Sequence, residues 1–294
     1  MSMTGLLKNK EIYLKFKETF PKPRLSSNRE FLVPPLTKNW IVIGHAFDYL
    51  LRFHLKQKYP KLTKDREHWV AHSGLEIIKT WKGTPRLYKA ASNIVENAEM
   101  QYKQFINTGN LDDDLIRSCI LLSKIDAIYR TGGSYYPDTL KDFLQVDKLD
   151  VQDLKNLISI VPFDEFKPEI GILLNPTFGS GSLMGGGSDA DLIIDNSIID
   201  IKVTKNLYIL PQYWYQCVGY YLLYLVDIMD GPSLVDESYP GFPDSKINQI
   251  GFYFARHGFL WKYPVEDIIE KGEKFNNFMS WFMDIAVTEG LMKS

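Results

Sequence analysis

Cysteine is scarce: only Cys119 and Cys217 occur in 294 residues. They lie far apart on expected helices, which suits buried, reduced thiols and excludes a disulfide framework as the source of stability. A surplus of one charge is also missing, with 34 Lys and Arg against 36 Asp and Glu and a formal net charge of −2. Proteins that track phosphates over a broad surface owe affinity to clustered cations, so any nucleic-acid contact is expected from a local groove. Long hydrophobic runs are absent too. The longest, "GYYLLYLVDIM" (219–229), is broken by Asp227 and falls short of the roughly 20 residues that span a bilayer, so no membrane segment is expected. The start, "MSMTGLLKNKEIYLKFKE", has no apolar core followed by a small-residue cleavage site. A cytoplasmic protein is expected. No internal repeat is visible.

What is present is enough apolar sequence, 45% of the chain, to bury a substantial core. Residues 1–38, basic and proline-bearing, read as an irregular arm. Helical spacing then recurs over 39–59, 63–81, 85–109 and 111–133, with Asn39 and Thr63 as expected caps, Pro85 opening the third segment and Gly109 closing it. These segments make 39–160 a helical region packed on the core. Beyond "VPFDEF" the texture changes to short Ile/Leu/Val runs between glycine clusters, and 161–294 reads as the core domain. Strands are expected in 169–176 and in the pair "DLIID" and "SIIDIKV". A helix follows over 211–229, then a strand pair over 247–265 turning at His257-Gly258, and a closing helix over 265–291.

The stretch "SDADLIIDNSIIDIKV" (188–203) sets charge into strands that are otherwise continuous in Ile and Leu. Side chains alternate across a strand, so Asp200 and Lys202 share one face, and Asp191, Ile193 and Asp195 share a face of the preceding strand. A two-residue loop at Asn196-Ser197 would set Asp191 opposite Lys202 and Ile193 opposite Asp200. Any loop of even length puts Asp191, Asp200 and Lys202 on one side; an odd loop separates them. A solvated hairpin face is the ordinary reading of such charges. The flanking isoleucines argue instead for a sheet covered on both sides, where paired carboxylates need a cation. Two carboxylates, a main-chain carbonyl and waters would suit Mg²⁺.

These residues resemble the PD-(D/E)XK nuclease superfamily, whose signature is an acid on one strand and acid-x-Lys on the next. Asp191 matches the first acid and Asp200-Ile201-Lys202 the second element. "QCVGY", Gln216 to Tyr220, is similar to the Gln-hydrophobic-x-x-Tyr motif of the RecB-like branch. "VIGHAFDYLLRF" resembles that branch's Gly-x-x-x-His segment, with Gly44 as the glycine and Asp48 in the histidine position. The resemblance covers approximately 169–265. It implies an α/β fold with a central mixed sheet of the restriction-endonuclease-like type flanked by helices. It also implies a Mg²⁺- or Mn²⁺-dependent hydrolase of DNA phosphodiesters, with DNA as partner. Asp191, Asp200, the Ile201 carbonyl and Asp48 would hold the metal. Lys202 would position or deprotonate the attacking water, Gln216 would orient it or the lysine, and Tyr220 would pack or contact the substrate backbone. The alternative is a catalytically inactive nucleic-acid-binding or complex-forming module of the same fold.

Other features compete. Asp189 rivals Asp191 by parity but suits a turn beside the glycines. His68, His72 and Glu76 have the i, i+4, i+8 spacing of a metal stripe, a polar helix face being the simpler account, and Glu76 is an alternative to Asp48 as upstream ligand. His45 reads as a satisfied histidine near the same place. "TFGSGSLMGGGS" (177–188) lacks the Gly-Lys-Ser/Thr ending of a phosphate-binding P-loop and reads as a flexible connection over a groove. Tyr213, Trp214 and Tyr215 would stack bases or fill the core, and Arg256 and His257 would meet phosphate or simply form a turn.

Overall fold

The computed structural model describes residues 3–66, 68–184, 188–229, 246–270 and 272–291. Residues 1–38 are less irregular than expected. Two helices form there, α1 (Met3–Leu6) and α2 (Lys10–Thr19), the second capped by the Asn9 side chain, which accepts from the N–H groups of Glu11 and Ile12. Ile12, Phe16 and Phe20 recur every fourth residue and are buried, and the prolines that suggested an arm begin only at Pro21.

Next come α3 (Trp40–Lys58), β1 (Thr63–Lys64) and α4 (Val70–Thr80). The helix expected over 63–81 therefore starts seven residues late. Thr63 does not cap it; its hydroxyl donates to the Leu55 carbonyl, and its backbone pairs with Ile172. Asn39 precedes α3 but gives its side-chain amide to Asp150 instead of capping. Then follow α5 (Pro85–Thr108), α6 (Asp113–Arg130), α7 (Leu140–Leu144) and α8 (Lys148–Ser159). The ends of α5 are those read from the sequence: Pro85 opens it and Gly109 takes a left-handed φ of 70° behind it.

The remaining elements are β2 (Ile172–Leu174), α9 (Gly179–Met184), β3 (Leu192–Ile194), β4 (Ser197–Lys202), α10 (Pro211–Met229), β5 (Gln249–Phe254), β6 (Phe259–Pro264) and α11 (Glu273–Leu291). The six strands form one mixed sheet in sequence order, parallel at β1–β2 and β4–β5 and antiparallel elsewhere. The fold is thus α/β, a six-stranded mixed sheet flanked by helices.

Both faces of that sheet are covered, which explains strands apolar on both sides. Ile172, Leu174, Leu192, Ile194, Ile199 and Tyr253 join a core built with α3 to α8. Leu173, Ile193, Ile198, Ile250, Phe252 and Phe254 join a second core with α1, α2, α10 and α11. Residues 39–160 therefore share one core with the sheet. The connection over 177–188 includes α9, and Gly181 explains part of its glycine content. A Cβ there would lie 2.1 Å from the Leu223 carbonyl oxygen, so only glycine lets α9 lie on α10. Residues 185–187, the rest of its glycine run, lie outside the described residues.

The β5–β6 turn forms where expected, with Gly258 at φ 52°. Arg256 and His257 do not face outward to meet phosphate. The buried Arg256 guanidinium is bidentate to Asp153 of α8 at 2.9 Å and 2.9 Å and donates to the Val33 carbonyl. His257 spans the carbonyls of Glu30 and Lys205 at 3.1 Å each. Asp153→Ala leaves that guanidinium buried and unpaired, and is expected to cost about 3–5 kcal/mol in denaturant unfolding. Pairing it with Arg256→Met should return part of the loss; equal losses in the single and double variants would contradict the account.

Candidate functional site

The β3–β4 hairpin turns at Asp195-Asn196, one residue earlier than expected. The observed pairs are Leu192↔Ile199, Ile193↔Ile198 and Ile194↔Ser197. Asp195 takes a left-handed φ of 52°, and its carboxylate accepts from the N–H groups of Glu169, Ile170 and Gly171 at 2.7–3.2 Å. A short acidic side chain suits this position because it tolerates positive φ and can tie the turn to the chain entering β2. The loop still has two residues, so the faces are as expected while the partners change. Continuing the register sets Asp191 opposite Asp200, in place of the expected Lys202.

Asp191 accepts from the Ile201 N–H at 2.6 Å. Asp200 is only 2% exposed. Lys202 Nζ lies 2.5 Å from Asp200 Oδ2 and donates to Gln216 Oε1 at 3.3 Å. Gln216 Nε2 in turn donates to Tyr220 Oη at 2.8 Å. Gln216 and Tyr220 are one turn apart on α10, so the helix presents both to the strand carrying the lysine. Of the three consecutive aromatics, Trp214 and Tyr215 are buried core residues, and Tyr213 places its ring 4.5 Å from Lys202 Nζ.

A cleft of about 290 Å³ collects these groups: Asp191, Asp200, Ile201, Lys202, Gln216 and Tyr220 line it together with Asp48. Asp48 enters from α3. One of its oxygens accepts from Arg52 Nη2 at 2.7 Å, and the other, Oδ1, is buried without a hydrogen-bond partner among the described residues. Glu76, the alternative upstream acid, does not line the cleft; it is exposed and paired with Lys79. The His68-His72-Glu76 stripe is likewise structural. His72 Nδ1 accepts from the Trp69 N–H at the start of α4, and its Nε2 meets Glu99 at 3.0 Å. Asp189 lines the cleft but accepts from the Asn175 side chain at 2.6 Å, where Asn175 turns with φ 50°, so the turn role holds.

Two cleft residues were not marked by any motif. His45 is not a satisfied histidine: its Nδ1 is buried and unpartnered among the described residues. Burial, with the Arg130 charge adding to it, lowers its pKa to about 4, so the imidazole is neutral. Arg130 ends α6, with Nε 3.8 Å from Asp126 Oδ2, and Tyr49 Oη donates to Asp126 at 2.7 Å. Nothing in the sequence singles Arg130 out, because it comes from a helix more than sixty residues before the hairpin. Thr4 of α1 completes one wall.

Electrostatics follow from burial. It pushes the Asp191 carboxyl well above its ordinary range, and the neighbouring Asp200 and Asp48 charges push it further; Lys202 and the Ile201 N–H oppose them. Burial raises Asp200 as well, against the pull of Lys202. Burial alone would lower Lys202, but Asp200 and Asp191 outweigh it and hold the amine protonated. Among the described residues no group of three or more His, Cys, Asp or Glu forms a ready metal cluster. The two hairpin carboxylates, the Ile201 carbonyl and Asp48 Oδ1 nonetheless offer a set of oxygen donors, with the neutral His45 ring as a nitrogen beside them. That set fits a hard divalent cation, which would relieve the excess negative charge.

No family model matches the chain, and neither curated proteins nor solved structures give a match.

A carboxyl raised by burial weakens the fold once it ionises: stability falls as pH climbs from the ordinary carboxylate range through the folded-state value. Asp191→Asn removes that penalty and is expected to stabilise the protein at neutral pH, the gain shrinking as pH falls through the raised folded-state value and vanishing below about pH 4. Mg²⁺ or Mn²⁺ should raise the melting temperature of the wild type more than that of the variant. An equal rise in both would remove Asp191 from the cation site.

Proposed function

We propose that the chain is a metal-dependent deoxyribonuclease of the PD-(D/E)XK type, RecB-like, on a sheet of the restriction-endonuclease-like kind. The observation that carries this reading is the convergence of Asp191, Asp200 and Lys202 on one sheet face with Gln216 and Tyr220 of α10 and Asp48 of α3. Asp191, Asp200 and the Ile201 carbonyl, with Asp48 beside them, would hold Mg²⁺ or Mn²⁺. Bound there, the ion supplies Lewis-acid polarisation of a phosphodiester and a more acidic water.

The chain's own residues then divide the remaining work. Lys202, protonated and desolvated, meets the charge that develops on the phosphoryl oxygens, an interaction strengthened by exclusion of water. Gln216 holds the lysine in place through its carbonyl oxygen, and Tyr220 fixes the opposite end of the amide. Arg130 offers a planar fork for a phosphate oxygen on the cleft's other wall, its side chain restrained by Asp126. The balanced overall charge is compatible with this, since only the cleft has to bind an anion.

Purified protein is expected to cleave linear duplex or single-stranded DNA in Mg²⁺ or Mn²⁺ and to stop when the ion is chelated. Asp200→Asn and Lys202→Ala should each lower the rate by about 100-fold or more, and Gln216→Ala by about tenfold. Cleavage that survives Lys202→Ala would overturn the assignment. DNA binding without turnover under any ion would favour the non-catalytic module.

A further inference from the structure

The start of α3 carries two exposed apolar side chains, Trp40 at 56% and Ile41 at 74% exposure. They extend the helix face that lines the cleft. Trp40, Gly44 and Asp48 are successive i, i+4 neighbours, as are Ile41 and His45, so the pair sits one turn, about 6 Å, outside the cleft wall. The opposite side is closed by the segment leaving β4: Val203 lines the cleft, and Lys205 places its Nζ 5.6 Å from the Trp40 ring. That segment is braced from behind, the Lys205 carbonyl being met by the His257 ring. The mouth therefore presents an indole, an aliphatic side chain and an ammonium on a supported backbone.

We propose that Trp40 and Ile41 form a stacking ledge for an unpaired base whose phosphate lies toward Lys205, which makes single-stranded DNA, or a single-stranded end, the substrate class. This rests on the hydrolase reading of the cleft. One observation and one physical argument favour an unpaired strand over a duplex. The carboxylates line a cleft of about 290 Å³ and Asp200 is only 2% exposed, so a phosphate reaches them more readily on a strand freed from its partner. A duplex also hides its base faces, whereas an unpaired base exposes a π-surface that an indole takes up readily, with an adjacent cation serving the backbone. Gly44 is consistent with such entry. A Cβ at that position would meet nothing within 4 Å, so no packing demand explains a glycine inside the helix, while its absence of side chain widens the path inward.

The test compares a fluorescent oligothymidylate with a blunt duplex of equal length by anisotropy in EDTA, where hydrolysis is stopped. The same two substrates are then cut in Mg²⁺. The wild type is expected to prefer the single strand. Trp40→Ala should weaken single-strand binding about tenfold and leave duplex binding unchanged, and Trp40→Phe should keep most of it. Both positions are exposed, so melting temperatures should match and exclude misfolding. Equal losses on both substrates, no loss on either, or a change in self-association alone would overturn the ledge. Hydrolysis that persists with no effect of Trp40→Ala would sink the ledge and leave the nuclease reading standing. Absence of DNA binding and cleavage in every form would sink both.

Discussion

Asp195 fixes where the central hairpin turns, and most of the site follows from that. Its carboxylate holds three backbone N–H groups of the chain entering β2, and its own backbone takes the left-handed conformation a tight turn needs. With the turn limited to Asp195 and Asn196, side-chain parity leaves Asp191, Asp200 and Lys202 on one face. One residue more in that loop would send Asp191 to the opposite face, among the residues that pack α3 to α8. Catalytic competence under the proposed function is therefore a matter of counting before it is a matter of charge.

Burial sets the chemistry. Two helical layers cover the sheet, so the acids on its central hairpin face a cleft rather than bulk water, and their mutual repulsion is expressed at low dielectric. Lys202 neutralises one of them, Arg52 engages Asp48 from behind, and Arg130 faces the same space from α6. The residual negative charge is what an incoming cation would balance. Such a site is held against the interest of stability, a common feature of functional clusters. The supporting structure compensates through the apolar cores on both sheet faces and through buried pairs such as Arg256–Asp153.

The N-terminal helices belong to this arrangement as walls. α3 brings Asp48 and His45 inward and Trp40 and Ile41 outward along one face, while α6 contributes Arg130 and α1 contributes Thr4. A helical region that shares its core with the sheet holds these side chains in register with the strands. It thereby shapes the approach to the acids as well as supporting them.

Local pattern determined a good deal by itself. The alternation in "DLIIDNSIIDIK" specified which residues share a face, apolar continuity indicated a sheet covered twice, and Pro85, Gly109 and Gly258 marked ends that depend only on local backbone chemistry. Parity survives a shift of turn because it depends on even or odd, so the clustered face was legible although the pairing was not. Other features needed the assembled molecule. The turn moved to Asp195 because its carboxylate found backbone partners more than twenty residues away, and Thr63 became strand because β2 offered it a ladder. Gln216 joined Lys202, and Glu76 stayed outside while Asp48 came in, because helix packing decides which face meets the cleft. Arg130 and the unpartnered atoms of His45 and Asp48 have no signature in sequence, since burial and proximity arise from contacts between distant segments.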